Sequence, residues 1–321
     1  MLLTSQVSEI AEILFRDGVC AIPTETVYGL AGNALKPEVV SRIFEIKNRP
    51  SFDPLILHVP NLEAILPLVL EVSPIVEKFM LNCWPGPLTI LLPRNSLVPD
   101  IVCSGSDWVG FRVPNHALTL DLLRMLPFPL AAPSANPFGY ISPTQSSHVI
   151  DQLGGLIDGV LEGGSCKVGI ESTVIRVLPD RVEILRAGAI TPEQLSDIGG
   201  LPIRWIQSSE HPTAPGMLDL HYAPHKRLYL DMPESVDSPE TAWIRFSAPR
   251  KDIPEDRQFI LAPDFELKTA ARNLFALMRQ LDQSIRFSQI IAELVPSHGL
   301  GIAINDKLRK ASASRVSSSG S

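Results

Sequence analysis

An α/β fold is what this sequence predicts, and three observations predict it. Short apolar runs alternate with segments whose apolar residues recur at helical spacing. Several of those runs are rich in β-branched residues, as in Leu55-Ile56-Leu57-His58-Val59 and Val182-Glu183-Ile184-Leu185, the composition of strands buried in a sheet. Near Leu201 the composition changes: Pro202, Pro212, Pro215 and Pro224, with Ser208-Ser209 and Gly216, separate a long first half from a shorter second one. The expected organisation is an open twisted mixed sheet with flanking helices over 1–200, a linker over 201–226, a smaller α/β domain over 227–311, and a serine-rich disordered tail over 312–321.

The elements follow in order. Val7, Ile10, Ala11, Leu14 and Phe15 predict a helix that Gly18 stops. Val19-Cys20-Ala21-Ile22 reads as a buried strand ended by Pro23, and Thr24-Glu25-Thr26 then sets two hydroxyls on either side of a carboxylate. That loop is either an ordinary polar turn or the ligand-facing end of a strand. Pro37 opens a helix carrying Val40, Ile43, Phe44 and Lys47, and Pro50 disfavours helical geometry at Arg49. Lys47 and Arg49 are therefore expected on one face of an extended, exposed exit, able to meet one anion or to stay solvated. Their replacement by alanine is expected to leave the fold intact. His58 ends the next strand and is either a structural residue or a site residue. A helix is expected over 72–84, a sharp turn at Trp84-Pro85-Gly86-Pro87, strands over 88–92 and 108–114, and a short helix over 118–125. Arg112 sits inside an apolar run and needs a partner or a ligand. Small-residue Pro129 to Pro137 reads as a strand delivering Ser134 and Asn136 to one side, and Thr144 as the cap of a helix through Leu153. The glycine-punctuated 163–174 contains Ser172, and the strand 182–188 carries Arg186. Neither a GK[ST] phosphate loop nor a GxGxxG fingerprint occurs. In the second half Ala270, Leu274, Leu277, Met278 and Leu281 mark one clear helix.

Bulk composition narrows the function. The chain has 321 residues, 45% of them hydrophobic, and a formal net charge of −7, which disfavours a general phosphate-backbone binder while allowing a local basic pocket. The four cysteines, Cys20, Cys83, Cys103 and Cys166, are scattered without a CxxC pair, so reduced, buried thiols are expected and no metal is expected to be held by protein side chains. No segment approaches the ~20 apolar residues of a membrane span, and the first residues lack a basic leader, so the expected location is the cytoplasm. Thr24, Thr26, Lys47, Arg49, His58, Arg112, Ser134, Asn136, Ser172 and Arg186 all lie at or near strand ends, where an open sheet gathers a site. Cations and hydroxyls together, without a carboxylate pair or a Ser-His-Asp order, point to phosphate handling.

These residues resemble a known family. Pro23-Thr24-Glu25-Thr26-Val27-Tyr28-Gly29-Leu30, Lys47-Asn48-Arg49-Pro50, Pro54-Leu55 with His58, Trp84-Pro85-Gly86-Pro87-Leu88-Thr89, Phe111-Arg112-Val113-Pro114, Ser134-Ala135-Asn136, Glu171-Ser172-Thr173-Val174 and Leu185-Arg186-Ala187-Gly188 are similar to the motifs of the two-domain threonylcarbamoyl-AMP synthases. Pro215-Gly216-Met217 with His221-Tyr222-Ala223-Pro224, and Gly299-Leu300-Gly301 with Leu308-Arg309-Lys310, resemble their linker and tail. The resemblance implies a YrdC-like catalytic domain followed by a smaller Rossmann-like domain. It implies a reaction joining L-threonine, bicarbonate or carbon dioxide, and ATP into threonylcarbamoyl-adenylate with loss of pyrophosphate, for the threonylcarbamoyladenosine of tRNA position 37. By resemblance Lys47 and Arg49 are catalytic. Lys47, Arg49, Arg112, Ser134, Asn136 and Arg186 bind ATP with magnesium. Thr24, Arg49, His58 and Ser172 bind threonine. Arg112 serves either ligand, and the free amine comes from solution equilibrium or with help from His58. Pro215, Gly216, His221 and Tyr222 belong to a gating loop, although Ala214, Asp219 and Leu220 depart from the family's usual residues. Downstream threonylcarbamoyl-transfer proteins are the implied partners, and tRNA is met only indirectly. The alternative reading is an RNA-binding module with a basic concave surface, disfavoured by the net charge and the 6% aromatic content.

Overall fold

A computed structural model describes residues 1–206, 221–230 and 238–313, which fall into two compact units. The first takes residues 1–138 and 142–206. It contains β1 (Leu2–Thr4), α1 (Val7–Phe15), β2 (Cys20–Ile22), β3 (Gly29–Asn33), α2 (Pro37–Lys47), β4 (Ile56–His58), α3 (Pro74–Cys83), β5 (Leu88–Pro93) and α4 (Asp100–Cys103). The chain continues with β6 (Trp108–Arg112), α5 (Ala117–Met125), β7 (Leu130–Ala131), α6 (Ser146–Leu153), β8 (Gly159–Leu161), β9 (Thr173–Leu178), β10 (Arg181–Arg186), α7 (Pro192–Gly199) and β11 (Ile203–Trp205). Among the described residues these strands form one sheet in the order β1-β8-β2-β3-β7-β4-β6-β5-β9-β10-β11. It is mixed, as expected: β4 runs parallel to β6 and antiparallel to β7, and β5 runs parallel to β9 and antiparallel to β6.

The apolar runs are apolar because both sheet faces are covered. In β2, Ala21 packs in a cluster with Tyr28, Val40, Ile43 and Phe111. Its neighbours Cys20 and Ile22 pack in a second cluster with Ile10, Leu14, Leu122 and Leu130. Successive side chains alternate between the faces, so along β2 neither face offers a place for a polar residue. All four cysteines are buried and unbridged. Burial pushes the thiols of Cys20 and Cys166 up to about 12, and those of Cys83 and Cys103 to about 11.

Several elements differ from the sequence reading. The strand expected over 129–137 is only Leu130–Ala131, and the chain then turns, with Asn136 N donating to Ser134 O at 3.0 Å. Thr144 does not cap α6. Gln145 precedes that helix without a side-chain cap, and Thr144 N donates instead to His148 Nδ1 at 3.2 Å. Residues 203–205, read as linker, pair in parallel with β10. β3 is a strand despite two glycines, because its glycines are packing sites: a Cβ on Gly32 would meet Val39 Cγ1 of α2 at 2.6 Å.

The second unit takes residues 139–141, 221–230 and 238–313. Its strands β12 (Arg227–Leu230), β13 (Thr241–Arg245), β14 (Gln258–Ile260) and β15 (Gln289–Ala292) are all parallel, in the order β12-β15-β13-β14, accompanied by α8 (Leu267–Gln283) and α9 (Leu300–Ser312). Arg279 of α8 is fully buried; its guanidinium lies 5.0 Å over the Tyr140 ring and donates to the Ile141 carbonyl. The expected tail over 312–321 lies almost wholly outside the described residues.

Candidate active site

Helix α2 begins on Pro37, whose missing N–H costs nothing in a first turn, and ends at Lys47 because Asn48 adopts a left-handed conformation with φ 51°. This turn sends Lys47 and Arg49 to different acceptors. Lys47 Nζ donates to the carbonyls of Ser134 and Asn136, each at 2.5 Å. Arg49 pairs with Asp53 at 2.8 Å and donates to the carbonyls of Asp53 at 3.0 Å and Pro54 at 2.9 Å. The two cations are 1% and 8% exposed, so the expectation of an exposed exit is corrected. The Lys47 amine is driven well below its ordinary value, first by burial and then by the Arg49 charge, while Asp53 and Glu171 pull the other way. Asp53 is raised by burial, an effect that Arg49, Lys47 and Arg186 oppose.

A second group forms at the C-terminal ends of β4 and β6. His58 and Arg112 are register partners across the parallel pair. Arg112 finds the partner its apolar strand demands: Nη2 lies 2.8 Å from Glu25 Oε2, and Nε donates to Gly86 O at 3.3 Å. Glu25 reaches it from the loop after β2. Both hydroxyls of that loop are engaged within it. Thr24 Oγ1 donates to Val27 O at 2.6 Å, accepts from the Thr26 and Val27 amides at 3.1 and 3.2 Å, and lies 2.8 Å from Thr26 Oγ1.

The third group stands at the N-terminal end of β9. Ser172 Oγ shares a hydrogen bond with Thr89 Oγ1 at 2.8 Å and accepts from Arg186 Nη2 at 2.9 Å, while Arg186 Nε donates to Ser172 O at 3.0 Å. Glu171 beside it accepts from Ser142 Oγ at 2.6 Å. The three groups act on one another electrically. The Arg186 charge reaches both Asp53 and His58, and the Glu171 charge reaches Lys47.

The structure thus brings together Lys47, Arg49, Ser134 and Asn136, and links Ser172 with Arg186 and His58 with Arg112. Ser134 and Asn136 meet Lys47 through their carbonyls. Of the gating-loop residues, Pro215 and Gly216 lie outside the described residues. His221 and Tyr222 lie in the second unit, where Tyr222 is buried, stacks on Phe275 at 5.3 Å and has φ 62°. Sequence reasoning did not single out Asp53, Thr89 or Glu171 as site residues. Asp53 was the easiest to find, since a carboxylate four residues after Arg49 is a ready counter-charge.

His58 is 3% exposed, and its imidazole is pushed down to about 3 by burial and then by the neighbouring Arg112 charge. Near neutral pH its imidazole carries no charge in this fold. The folded value lies below the ordinary 6.5, so between the two the unfolded chain binds a proton the folded chain does not, and stability falls as pH drops. Between pH 6.5 and 5 this one group should remove about 2 kcal/mol. Urea unfolding of wild type and His58→Gln at both pH values measures it. Parallel losses in the two proteins would show that His58 is not the group responsible.

Comparisons with known proteins bear on this arrangement. The family model described as "Telomere recombination" matches residues 12–188, and the model "Threonylcarbamoyl-AMP synthase, C-terminal domain" matches residues 190–313. A threonylcarbamoyl-AMP synthase of Pyrococcus abyssi is 36% identical, covering 96% of this chain and 94% of its own. One of Bacillus subtilis is 35% identical over 97% and 94%. The crystal structure of P. abyssi Sua5 complexed with L-threonine superposes with a TM-score of 0.88 at 33% identity, covering 97% of each chain.

Proposed function

The chain belongs to the threonylcarbamoyl-AMP synthase family, and from that premise we propose how its residues carry the reaction. The activity is the synthesis of L-threonylcarbamoyl-adenylate from L-threonine and ATP, with bicarbonate or carbon dioxide as the one-carbon source. The observation that carries this reading is that the likeness runs through both units rather than through the first alone.

The threonine amine takes up carbon dioxide as a carbamate, whose oxygen attacks the α-phosphorus of ATP as the bond to the leaving pyrophosphate breaks. Such a transfer depends on placement and on charge neutralisation more than on a covalent protein nucleophile. Lys47, Arg49 and Arg186 face the phosphates, and magnesium arrives on the triphosphate as part of that substrate. Ser134 and Asn136 lie against the nucleotide. Thr24, Arg49, His58 and Ser172 take threonine, with the arginine on its carboxylate. Arg112 serves either ligand. Support for this division comes from the bonds described above: Arg186 already grips Ser172, and the Lys47 amine already grips the loop that carries Ser134 and Asn136. A polyanion beside Lys47 would favour the charged form of its amine, which burial opposes.

His221, Tyr222, Pro215 and Gly216 form the proposed gate, which would shield a labile mixed anhydride from water. The product serves tRNA position 37 through downstream threonylcarbamoyl-transfer proteins, so tRNA is met only indirectly. The cytoplasm is the proposed compartment; among the described residues no helix is long and apolar enough to cross a membrane.

Purified protein given ATP, bicarbonate and L-threonine should release pyrophosphate only when threonine is present. Equal release without threonine would overturn the assignment.

A further inference from the structure

Glu25 is a buried carboxylate with half of its bonding capacity in use. It is 5% exposed. Its Oε2 accepts from the Asn115 amide at 3.0 Å and faces Arg112 Nη2 at 2.8 Å, whereas Oε1 is buried and has no hydrogen-bond partner. The same holds across the ion pair: Arg112 Nη2 lies close to the carboxylate without hydrogen-bond alignment and lacks another acceptor. An unmatched carboxylate oxygen in a dry place is expensive, and a fold normally removes it by a rotamer change. The Glu25 carboxylate is held through Oε2, and its backbone is anchored as well. Its own carbonyl accepts from the Val168 amide at 2.7 Å, and Thr24 ties the following turn to Val27. The vacant valence is therefore held in place beside two residues, Thr24 and Arg112, already assigned to the substrates.

We propose that Glu25 Oε1 accepts a hydrogen bond from the amino group of the amino-acid substrate, an inference that rests on the synthase reading above. A carboxylate oxygen selects N–H donors bearing positive charge. An amine keeps at least one N–H when it becomes a carbamate, so one contact holds the nitrogen before and after carbon dioxide adds. Arg112 and the Asn115 amide occupy Oε2, which leaves Oε1 as the open acceptor. Glu25 then fixes where the nitrogen sits, and the cations of the site fix where the phosphates sit.

The test compares full-length wild type with Glu25→Gln, using threonine as substrate and (3R)-3-hydroxybutanoate, which has the carboxylate and hydroxyl but no amine, as competitive inhibitor. The KM for threonine should rise about tenfold, that for ATP should stay constant, and the inhibition constant of the amine-free competitor should stay within about twofold. A parallel rise for the competitor would mean that Glu25 acts only by steadying Arg112, and an unchanged KM for threonine would remove Glu25 from substrate binding. Glu25→Asp keeps the charge but withdraws it by one methylene, and should give an intermediate rise in KM with the same inhibition constant; it answers the question if Glu25→Gln fails to fold. Wild-type turnover indifferent to threonine overturns the synthase reading itself, a result distinct from either of the others.

Discussion

Replacing Lys47 by methionine is expected to abolish synthesis and to lower the unfolding free energy by about 2–4 kcal/mol. Methionine fills much of the lysine volume, so the change isolates the amine. The carbonyls of Ser134 and Asn136 lose their shared donor at the end of α2 while remaining in the interior. A charge lost from a solvated surface costs a few tenths of that amount, whereas a donor lost from the interior leaves its acceptors bare. Lys47→Ala adds a void and should unfold at still lower denaturant. Chemical denaturation and pyrophosphate release, measured on the same preparations, check both halves. A variant with wild-type turnover would remove Lys47 from the chemistry, and one with an unchanged midpoint would contradict its role as a clamp on the 134–136 loop.

The second large effect is expected from a single methyl group. A Cβ on Gly188 would stand 2.2 Å from Thr173 N, 2.3 Å from Ser172 C and 2.5 Å from Glu171 O. All three neighbours are backbone, which cannot turn aside as a flexible side-chain tip can. Gly188→Ala must therefore push the 171–173 segment away from β10, and with it the Ser172 hydroxyl that Arg186 and Thr89 hold. If Ser172 takes threonine as proposed, a displacement of about 1 Å should lower turnover on the order of 100-fold, with overpacking adding about 1–3 kcal/mol of destabilisation. Gly155→Ala is the control: its Cβ would meet nothing within 4 Å, and that variant should match wild type in both rate and melting temperature. Normal kinetics in Gly188→Ala would mean that the 171–173 segment tolerates displacement.

Local patterns carried much of the fold. Helices α1, α2 and α8 announced themselves through apolar spacing, and Pro37 placed the start of α2 because proline suits a first helical turn. Thr191-Pro192-Glu193-Gln194 was an equally plain signal for α7, a reciprocal cap that the structure contains and the sequence reading passed over. β3 was not readable, because its Gly29-Leu30-Ala31-Gly32-Asn33 lacks every β-forming residue type and exists by virtue of what packs on it. β1 and β8 are three residues each and pair across more than 150 positions, a distance no window of sequence spans. In the candidate site, the residues that the structure groups could be picked out one by one, but their surroundings could not. A lysine at a helix end is ordinarily solvated, and only the tertiary fold brings two carbonyls over it. The His58–Arg112 adjacency likewise needed the register of two strands more than 50 residues apart.

The four interior thiols have a practical bearing. A maleimide dye reacts with exposed thiolate, and none of these sulfurs offers it in the folded chain. A cysteine introduced at an outward position such as Ser165 would thus be the sole attachment point for a fluorophore or spin label. Motion of the loop that carries Ser165 could then be followed by spectroscopy in a background that keeps every native cysteine.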